Sequence, residues 1–352
     1  MPEKKTQRFK ESVGIDIGSH SVKIVHLKKH NDAYKLQNFA MRSTIPEHTD
    51  YQLSELRKER YAPVISEMMK SLKINPRKIK HLVTAIGGEQ VSIKQIKTIF
   101  LPDDELESAL FFEAKKHLAI SGGEMQLDFQ VLSIEEKTNQ LNVLLVATTK
   151  EYLRGHTDIL VQSGLTPHFV DAEVLAVANS FILNTDIDEG VYILLNIGAH
   201  KTNMVVYGTK TKFFSREIDL GGYHFTRDLM LKQNLSFEEA EKYKCQFGLE
   251  TQSSSSSISL EVSEKPTEEN LSTEVKRSLR YYVKEAGNSD FRKILLTGGS
   301  AKLKGLKEYL ETHLSLPVEI FNPFNNIEIS ERTARINDPQ LAVAVGLAMR
   351  SE

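Results

Sequence analysis

The chain has 352 residues, 45 Lys and Arg against 47 Asp and Glu, 40% hydrophobic residues, one cysteine and no tryptophan. That length suits two or three domains, each able to bury a core, and the lone Cys245 excludes an intramolecular disulfide or a multi-cysteine zinc site. A formal net charge of -2 gives no global electrostatic reason to bind nucleic acid. No apolar run approaches the roughly 18 residues of a membrane span, so the reading is a cytoplasmic protein that meets a membrane only through a partner.

The opening MPEKKTQRFK is a basic tail, with Lys4, Lys5, Arg8 and Lys10, and reads as a solvated end rather than an anchor. Strand-like runs follow at Val13–Ile17 and Val22–Leu27, then a predicted helix over Tyr61–Leu72 and a strand over His81–Ile86. The stretch Val91–His168 has its own plan: strand Val91–Phe100, helix Asp103–His117, strands Gln126–Ser133 and Leu141–Thr148, and helix Lys150–Ser163 closed by Gly164. Leu106, Leu110 and Ala114 recur every fourth residue and give the first of these helices one buried stripe. This stretch is a candidate inserted subdomain.

Farther on, Val191–Leu195 and Met204–Tyr207 are apolar strands around a second turn. Helical patterns at Ser236–Phe247 and Glu268–Glu285 flank a serine-rich loop at 251–265, read as an exposed insertion. A strand over Arg292–Leu296 runs into Gly298-Gly299-Ser300 ahead of a helical stretch, Leu303–Leu314. Near the end, Ala342, Ala344, Gly346 and Ala348 mark a small-residue helix expected to pack closely on the sheet near the first hairpin. Strands alternating with helices in this way predict an α/β fold.

The chemistry is carried by a repeat. Asp16-Ile17-Gly18-Ser19-His20-Ser21-Val22-Lys23 matches Asn196-Ile197-Gly198-Ala199-His200-Lys201-Thr202-Asn203, and each copy sits between two apolar strands. Each is therefore a β-hairpin with glycine and small polar residues at its tip, a shape whose successive N–H groups suit phosphate oxygens. Ser19, Ser21 and Thr202 supply hydroxyls, and Asp16 is placed to hold a hydrated Mg²⁺. Gly298, Gly299 and Ser300 close a strand where ligands of α/β proteins sit. Tight turns without a ligand are the plain alternative for any one of these motifs, and their order argues for a nucleotide site between two similar domains.

In that order the motifs resemble the actin, Hsp70 and sugar-kinase superfamily, with the hairpins similar to its two phosphate loops and Leu295–Ser300 to its adenosine motif. Val13–Gly18, Val170-Asp171-Ala172-Glu173, Arg216–Gly222, Glu239–Lys244, Leu296–Gly299, Asn322-Pro323-Phe324 and Leu341–Ala348 resemble the FtsA/PilM branch, and within it the PilM family of type IV pilus assembly. The resemblance implies an actin-like (ribonuclease H-like) two-domain fold with an inserted FtsA-type 1C subdomain. Domain I is then expected at 11–90, 169–186 and 335–352, the 1C-like unit at 91–168, and domain II at 187–334, with an outer part at about 231–287.

By the same resemblance the cofactors are ATP and Mg²⁺. Asp16 is the Mg²⁺ carboxylate; Gly18, Ser19, Ser21 and Lys23 form one phosphate clamp and Gly198, Lys201 and Thr202 the other. Gly221 and Gly222 pass close to the nucleotide, Glu241 and Lys244 reach ribose and adenine, and Gly298, Gly299 and Ser300 line the opposite side. Glu241 and Lys244 read equally as a surface ion pair. Glu173 faces the γ-phosphate and orients water, or is only a helix-start acid favoured by the dipole. Asn196 stands where the superfamily has a second aspartate, so hydrolysis is expected to be slow or absent. His20 and His200 read as paired surface turn histidines. The implied partner is the N-terminal cytoplasmic peptide of PilN and, through it, the PilN/PilO/PilP complex. Contacts with pilus motor ATPases and self-association are also admitted, without nucleic acid or membrane insertion. An FtsA-like or actin-like filament former and a sugar-kinase-type phosphotransferase are the competing functions.

Overall fold

The computed structural model describes residues 11–30, 33–45, 60–118, 123–209, 211–249, 265–329 and 336–350, so the basic tail and the serine run lie outside the described residues. Val13, Ile15, Val22, Ile24, Val25 and Leu27 bury both faces of the first hairpin. Its strands β1 (Glu11–Ile17) and β2 (Ser21–His30) pair antiparallel from Glu11 opposite Lys28 to Ile17 opposite Val22. β3 (Ala33–Ser43) continues the meander, a strand that the sequence reading did not foresee. After α1 (Tyr61–Ser71), β4 (Leu82–Ile86) returns parallel to β1.

The inserted unit is a three-stranded sheet carrying one helix. β5 (Val91–Ile99), α2 (Asp103–His117), β6 (Met125–Glu135) and β7 (Gln140–Thr149) give the order β5-β7-β6. Leu106, Leu110 and Ala114 of α2 meet Ile96, Leu141, Val143 and Leu145, so the predicted stripe does face this sheet. The following α3 (Lys150–Gln162) goes elsewhere: Ile159 and Leu160 pack with Val13, Ile15, Ile65 and Met68. The sequence pattern assigns α3 to the insertion; in the fold it covers the first sheet beside α1. β8 (Phe169–Ala172) then pairs parallel to β4 and leads directly into α4 (Glu173–Asn184).

The second half repeats the plan. β9 (Val191–Ile197), β10 (Thr202–Tyr207) and β11 (Phe214–Ile218) form an antiparallel meander. α5 (Gly222–Gln233), α6 (Phe237–Phe247) and α7 (Thr267–Ala286) follow. Ser236 caps α6 reciprocally with Glu239, which explains the start of that helix. β12 (Phe291–Thr297) runs parallel to β9 and, after α8 (Leu306–Leu314), β13 (Val318–Ile320) parallel to β12. The helix expected from Leu303 begins later because Gly299–Lys302 form a 3₁₀ turn and the N-cap Gly305 holds φ at +82°.

β14 (Ile327–Glu328) pairs parallel to β3 of the first sheet, with Phe324 and Ile327 in a cluster beside Leu27 and Leu36. The second domain is expected to reach residue 334, yet Phe324, Ile327 and Glu328 belong with the first sheet. The two sheets read β14-β3-β2-β1-β4-β8 and β11-β10-β9-β12-β13. Each contains a meander continued by two parallel strands, with β14 added at the other edge of the first, and this duplication agrees with the actin-like expectation. A shared cluster, including Val83, Ala176 and Phe181 from one half and Tyr192, Leu194 and Val205 from the other, joins them.

The closing helix α9 (Ala342–Ala348) is clamped between β1 and α4. A methyl group on Gly14 would lie 2.2 Å from the Ala344 carbonyl oxygen, and one on Gly346 only 1.8 Å from that of Ala176. Only glycine permits such backbone approach. Contact falls on strand β1 of the first hairpin, where the small-residue pattern is expected to pack. No described helix is long and apolar enough to cross a membrane.

Candidate functional site

Both hairpin tips, the ends of β4, β8 and β12, and the starts of α4 and α5 converge on one cleft between the sheets. At the first tip, the Gly18 amide donates to the Ser21 carbonyl at 3.1 Å, and Lys23 Nζ lies 3.0 Å from Asp16 Oδ2. At the second, the Gly198 amide donates to the Lys201 carbonyl at 2.9 Å. The Gly198 carbonyl in turn accepts from Gly222 N at 2.9 Å and Ser300 Oγ at 3.4 Å. Methyl groups on Gly221, Gly222 or Gly298 would lie 2.6–2.7 Å from His200, Ser300 and Asn196 respectively, so these glycines let the 221–222 and 298–300 segments close on the second turn and on each other.

The carboxylates and ammonium groups of the cleft are interlocked. Glu173, first residue of α4, accepts from Asn196 Nδ2 at 2.8 Å. Burial foremost, then the charge of Asp16, pushes its carboxyl up to about 7, against the opposing pull of Lys23 and Asn203. Glu173 is thus partly protonated near neutrality, the condition of a group able to hold or release a proton there.

Lys201 is paired with Glu217 of β11 and lies 3.7 Å from Glu89. Burial alone would lower its pKa, yet Glu217 and Glu89 outweigh that and leave it raised. On α6, Lys244 Nζ donates to Gly222 O at 3.0 Å, Thr226 Oγ1 at 2.8 Å and Glu241 Oε2 at 2.7 Å. Desolvation opposes ionisation of Glu241, but Lys244 and Thr226 overcome it and hold its carboxyl below the ordinary value. With Lys244 only 12% exposed, this is not the solvated surface pair that the spacing also allowed.

Two residues behave differently from their sequence readings. Thr202 is fully buried and donates its hydroxyl to the Leu220 carbonyl at 2.7 Å, so it braces the turn before α5 instead of facing a ligand. His200 is not a surface residue: it is 6% exposed, its ring 5.6 Å from that of Tyr223, and burial foremost holds its pKa down to about 4. It stays neutral and brings no positive charge to a phosphate. His20 does remain exposed at the rim, within electrostatic range of Glu241, Lys244 and Lys23, so the first hairpin faces α6 across the cleft.

Among the described residues no three His, Cys, Asp or Glu are grouped to hold a metal by themselves. Asp16 offers a single carboxylate, which suits Mg²⁺ held mostly by water and phosphate. Sequence reading missed Gly87 and Tyr152. A methyl on Gly87 would fall 2.6 Å from Glu173 Oε2, and Tyr152 donates its hydroxyl to the Gly87 carbonyl at 2.8 Å. Neither belongs to a repeated motif, so only the fold shows them.

Comparison with known proteins places the architecture. A chain of a PilM-PilN type IV pilus biogenesis complex is 25% identical, superposes with a TM-score of 0.79, and matches over 98% of this chain and 99% of that one. The ethanolamine utilization protein EutJ from Carboxydothermus hydrogenoformans, 15% identical with a TM-score of 0.55 over 98% of this chain and 91% of its own, shares the actin-like fold. Among curated relatives, cell division protein FtsA of Helicobacter pylori strain J99 is 26% identical over 227 residues, 58% of this chain and 46% of FtsA. FtsA of Neisseria meningitidis serogroup B is 24% identical over 308 residues, 77% of this chain and 73% of its own. The chain thus spans about half the length of the Helicobacter relatives it matches. The family described as type IV pilus assembly protein PilM matches residues 14–352, and the chain belongs to that family.

Proposed function

We propose that the chain is a cytoplasmic, ATP-binding scaffold of type IV pilus assembly that captures the N-terminal cytoplasmic segment of PilN and is held at the inner membrane through it. The observation that carries this reading is the end-to-end correspondence with a chain of a PilM-PilN complex.

The cleft chemistry suits a magnesium nucleotide. Lys23, Lys201 and Lys244 are each parked on a carboxylate, respectively Asp16, Glu217 and Glu241. Phosphates would be held by Lys23 with the 18–21 turn and by Lys201 with the 198–201 turn, Mg²⁺ by Asp16, and the nucleoside by Glu241, Lys244 and the Gly298–Ser300 turn. Bound ATP would supply a polyanion that competes for these lysines, and Mg²⁺ on Asp16 would release Lys23 toward it. Asn196, an amide, can neither carry the negative charge of an aspartate nor accept a proton as readily, which fits retention of ATP over rapid hydrolysis.

A peptide groove is suggested by two sheet edges. β8 ends the first sheet and β6 ends the inserted one; the Asp171 carboxyl of β8 is pushed up chiefly by burial, against the pull of Arg350, and Asp128 of β6 lies near enough to add a small push of the same sign. Arg350 Nη1 bonds Asp171 Oδ2 at 2.8 Å and its guanidinium stands over the Phe169 ring at 5.4 Å, which builds the floor. An extended peptide gains backbone hydrogen bonds on such an edge and side-chain pockets beside it. Deleting the whole of 91–168 is a poor test, since it also removes α3 and with it Ile159 and Leu160 of the first core. Asp128→Arg, at an exposed position, is better. With a fluorescent peptide of the PilN cytoplasmic N-terminus, we expect the Kd to change by about fivefold or more, about 1 kcal/mol, with melting unaltered. An unchanged Kd refutes the groove.

A further inference from the structure

The inserted three-stranded unit joins the rest of the chain twice, and both junctions end at the cleft. One is the turn between β4 and β5. There Gly87 packs on the Glu173 carboxyl, and Gly88, at φ +86°, would place a methyl 3.8 Å from Glu217 Oε2. Glu89 reaches Lys201. The other junction is the step from β7 into α3, where Thr149 Oγ1 accepts from the Tyr152 amide at 3.1 Å and caps the helix. Tyr152 then reaches back to the first junction through its hydroxyl, bonded to the Gly87 carbonyl at 2.8 Å. Burial foremost, then the nearby charges of Glu173 and Glu217, raises the pKa of that hydroxyl, which places it among the charged groups of the cleft.

We propose that Tyr152 is a positioning residue that ties the two roots of the inserted unit together against Glu173, so that occupancy of the cleft and the setting of the inserted unit are coupled. The coupling rests on the ATP reading above; the positioning does not. Tilting β5 and β7 relative to the first sheet moves the Gly87 turn or breaks the Tyr152 bond, and either change alters the packing on Glu173. Linkage makes this reciprocal: a ligand that fixes the cleft restricts the insertion, and a peptide that fixes the insertion restricts the cleft.

The test uses the full chain and Tyr152→Phe, which keeps the ring and removes only the hydroxyl. First, the Glu173 carboxyl is titrated without ligand by difference infrared spectroscopy against Glu173→Gln. The wild type should titrate near 7, and Tyr152→Phe should titrate lower because the loosened turn admits water to the carboxyl. Identical titrations overturn the positioning role. Second, hydrogen exchange is followed with and without Mg-ATP. In the wild type, protection should extend from the hairpin tips through 86–91 and 149–152 into β5 and β7; in Tyr152→Phe it should stop at the cleft. Equal spread in both proteins, or none in the wild type beyond the hairpins, overturns the coupling. Absence of any ATP-dependent protection removes the ATP reading and the coupling with it, while the titration still decides the positioning role.

Discussion

Replacing Glu173 by Gln should stabilise the protein, and by more at high pH. The wild-type carboxyl titrates at about 7 in the fold against an ordinary 4.5, chiefly because burial disfavours its charge. Below pH 4.5 both folded and unfolded states hold the proton, and the group is neutral in each. Between 4.5 and 7 the unfolded chain loses its proton first, so wild-type stability falls through that window and the full cost is present above 7. At about 1.4 kcal/mol per pH unit, the cost is about 1.4 kcal/mol at pH 5.5 and about 3 kcal/mol at pH 8. Gln carries no charge at any pH and its carbonyl can still accept from Asn196, so Glu173→Gln escapes the cost while keeping the contact. Calorimetric melts of both proteins at pH 5.5 and 8 should show a gap that widens with pH, from roughly 2 °C at pH 5.5 to roughly 4 °C at pH 8. A gap that does not change with pH, or a variant less stable at pH 8, refutes the reasoning.

Gly346→Ala forces a methyl to within 1.8 Å of the Ala176 carbonyl. We expect a loss of about 3 kcal/mol or more, read as a lowered melting temperature or insoluble expression; a wild-type melt would mean that α9 is not clamped as described. Asn196→Asp puts a second carboxyl at the 2.8 Å contact with Glu173 in place of an amide donor. Its stability at pH 8 should fall by about 2 kcal/mol through like-charge repulsion and the lost bond, and Mg-ATP turnover, followed by phosphate release, should rise above the wild type. Unchanged turnover would show that Asn196 is not what limits hydrolysis.

The duplicated hairpins were legible because β1, β2, β9 and β10 bury both faces, which writes them as apolar runs, and because each turn carries the same glycine. β3 was not: AYKLQNFAMRS has only Leu36 fully buried, so it lacks a strong pattern of either period. The destination of α3 is a tertiary matter, since an amphipathic helix declares that it has a buried face but not which core receives it. His20 and His200 show the limit of a repeat. They occupy equivalent turns, but the second turn is covered by Tyr223 at the start of α5 and the first is open. Sequence equivalence fixes the local backbone; burial depends on what lies across it.

The clamp around α9 also has a consequence for biosynthesis. β1 is made more than 300 residues before α9, so the sheet face at Gly14 stays uncovered until residues 342–348 have been made. At roughly 5–20 residues per second, that leaves apolar β1 and β2 waiting tens of seconds for their cover. The second sheet needs only strands from Val191 to Ile320, and the inserted unit only those from Val91 to Thr149, so both can close earlier. The half begun first is therefore the half finished last, and its early strands are the stretch of the nascent chain with most need of a chaperone.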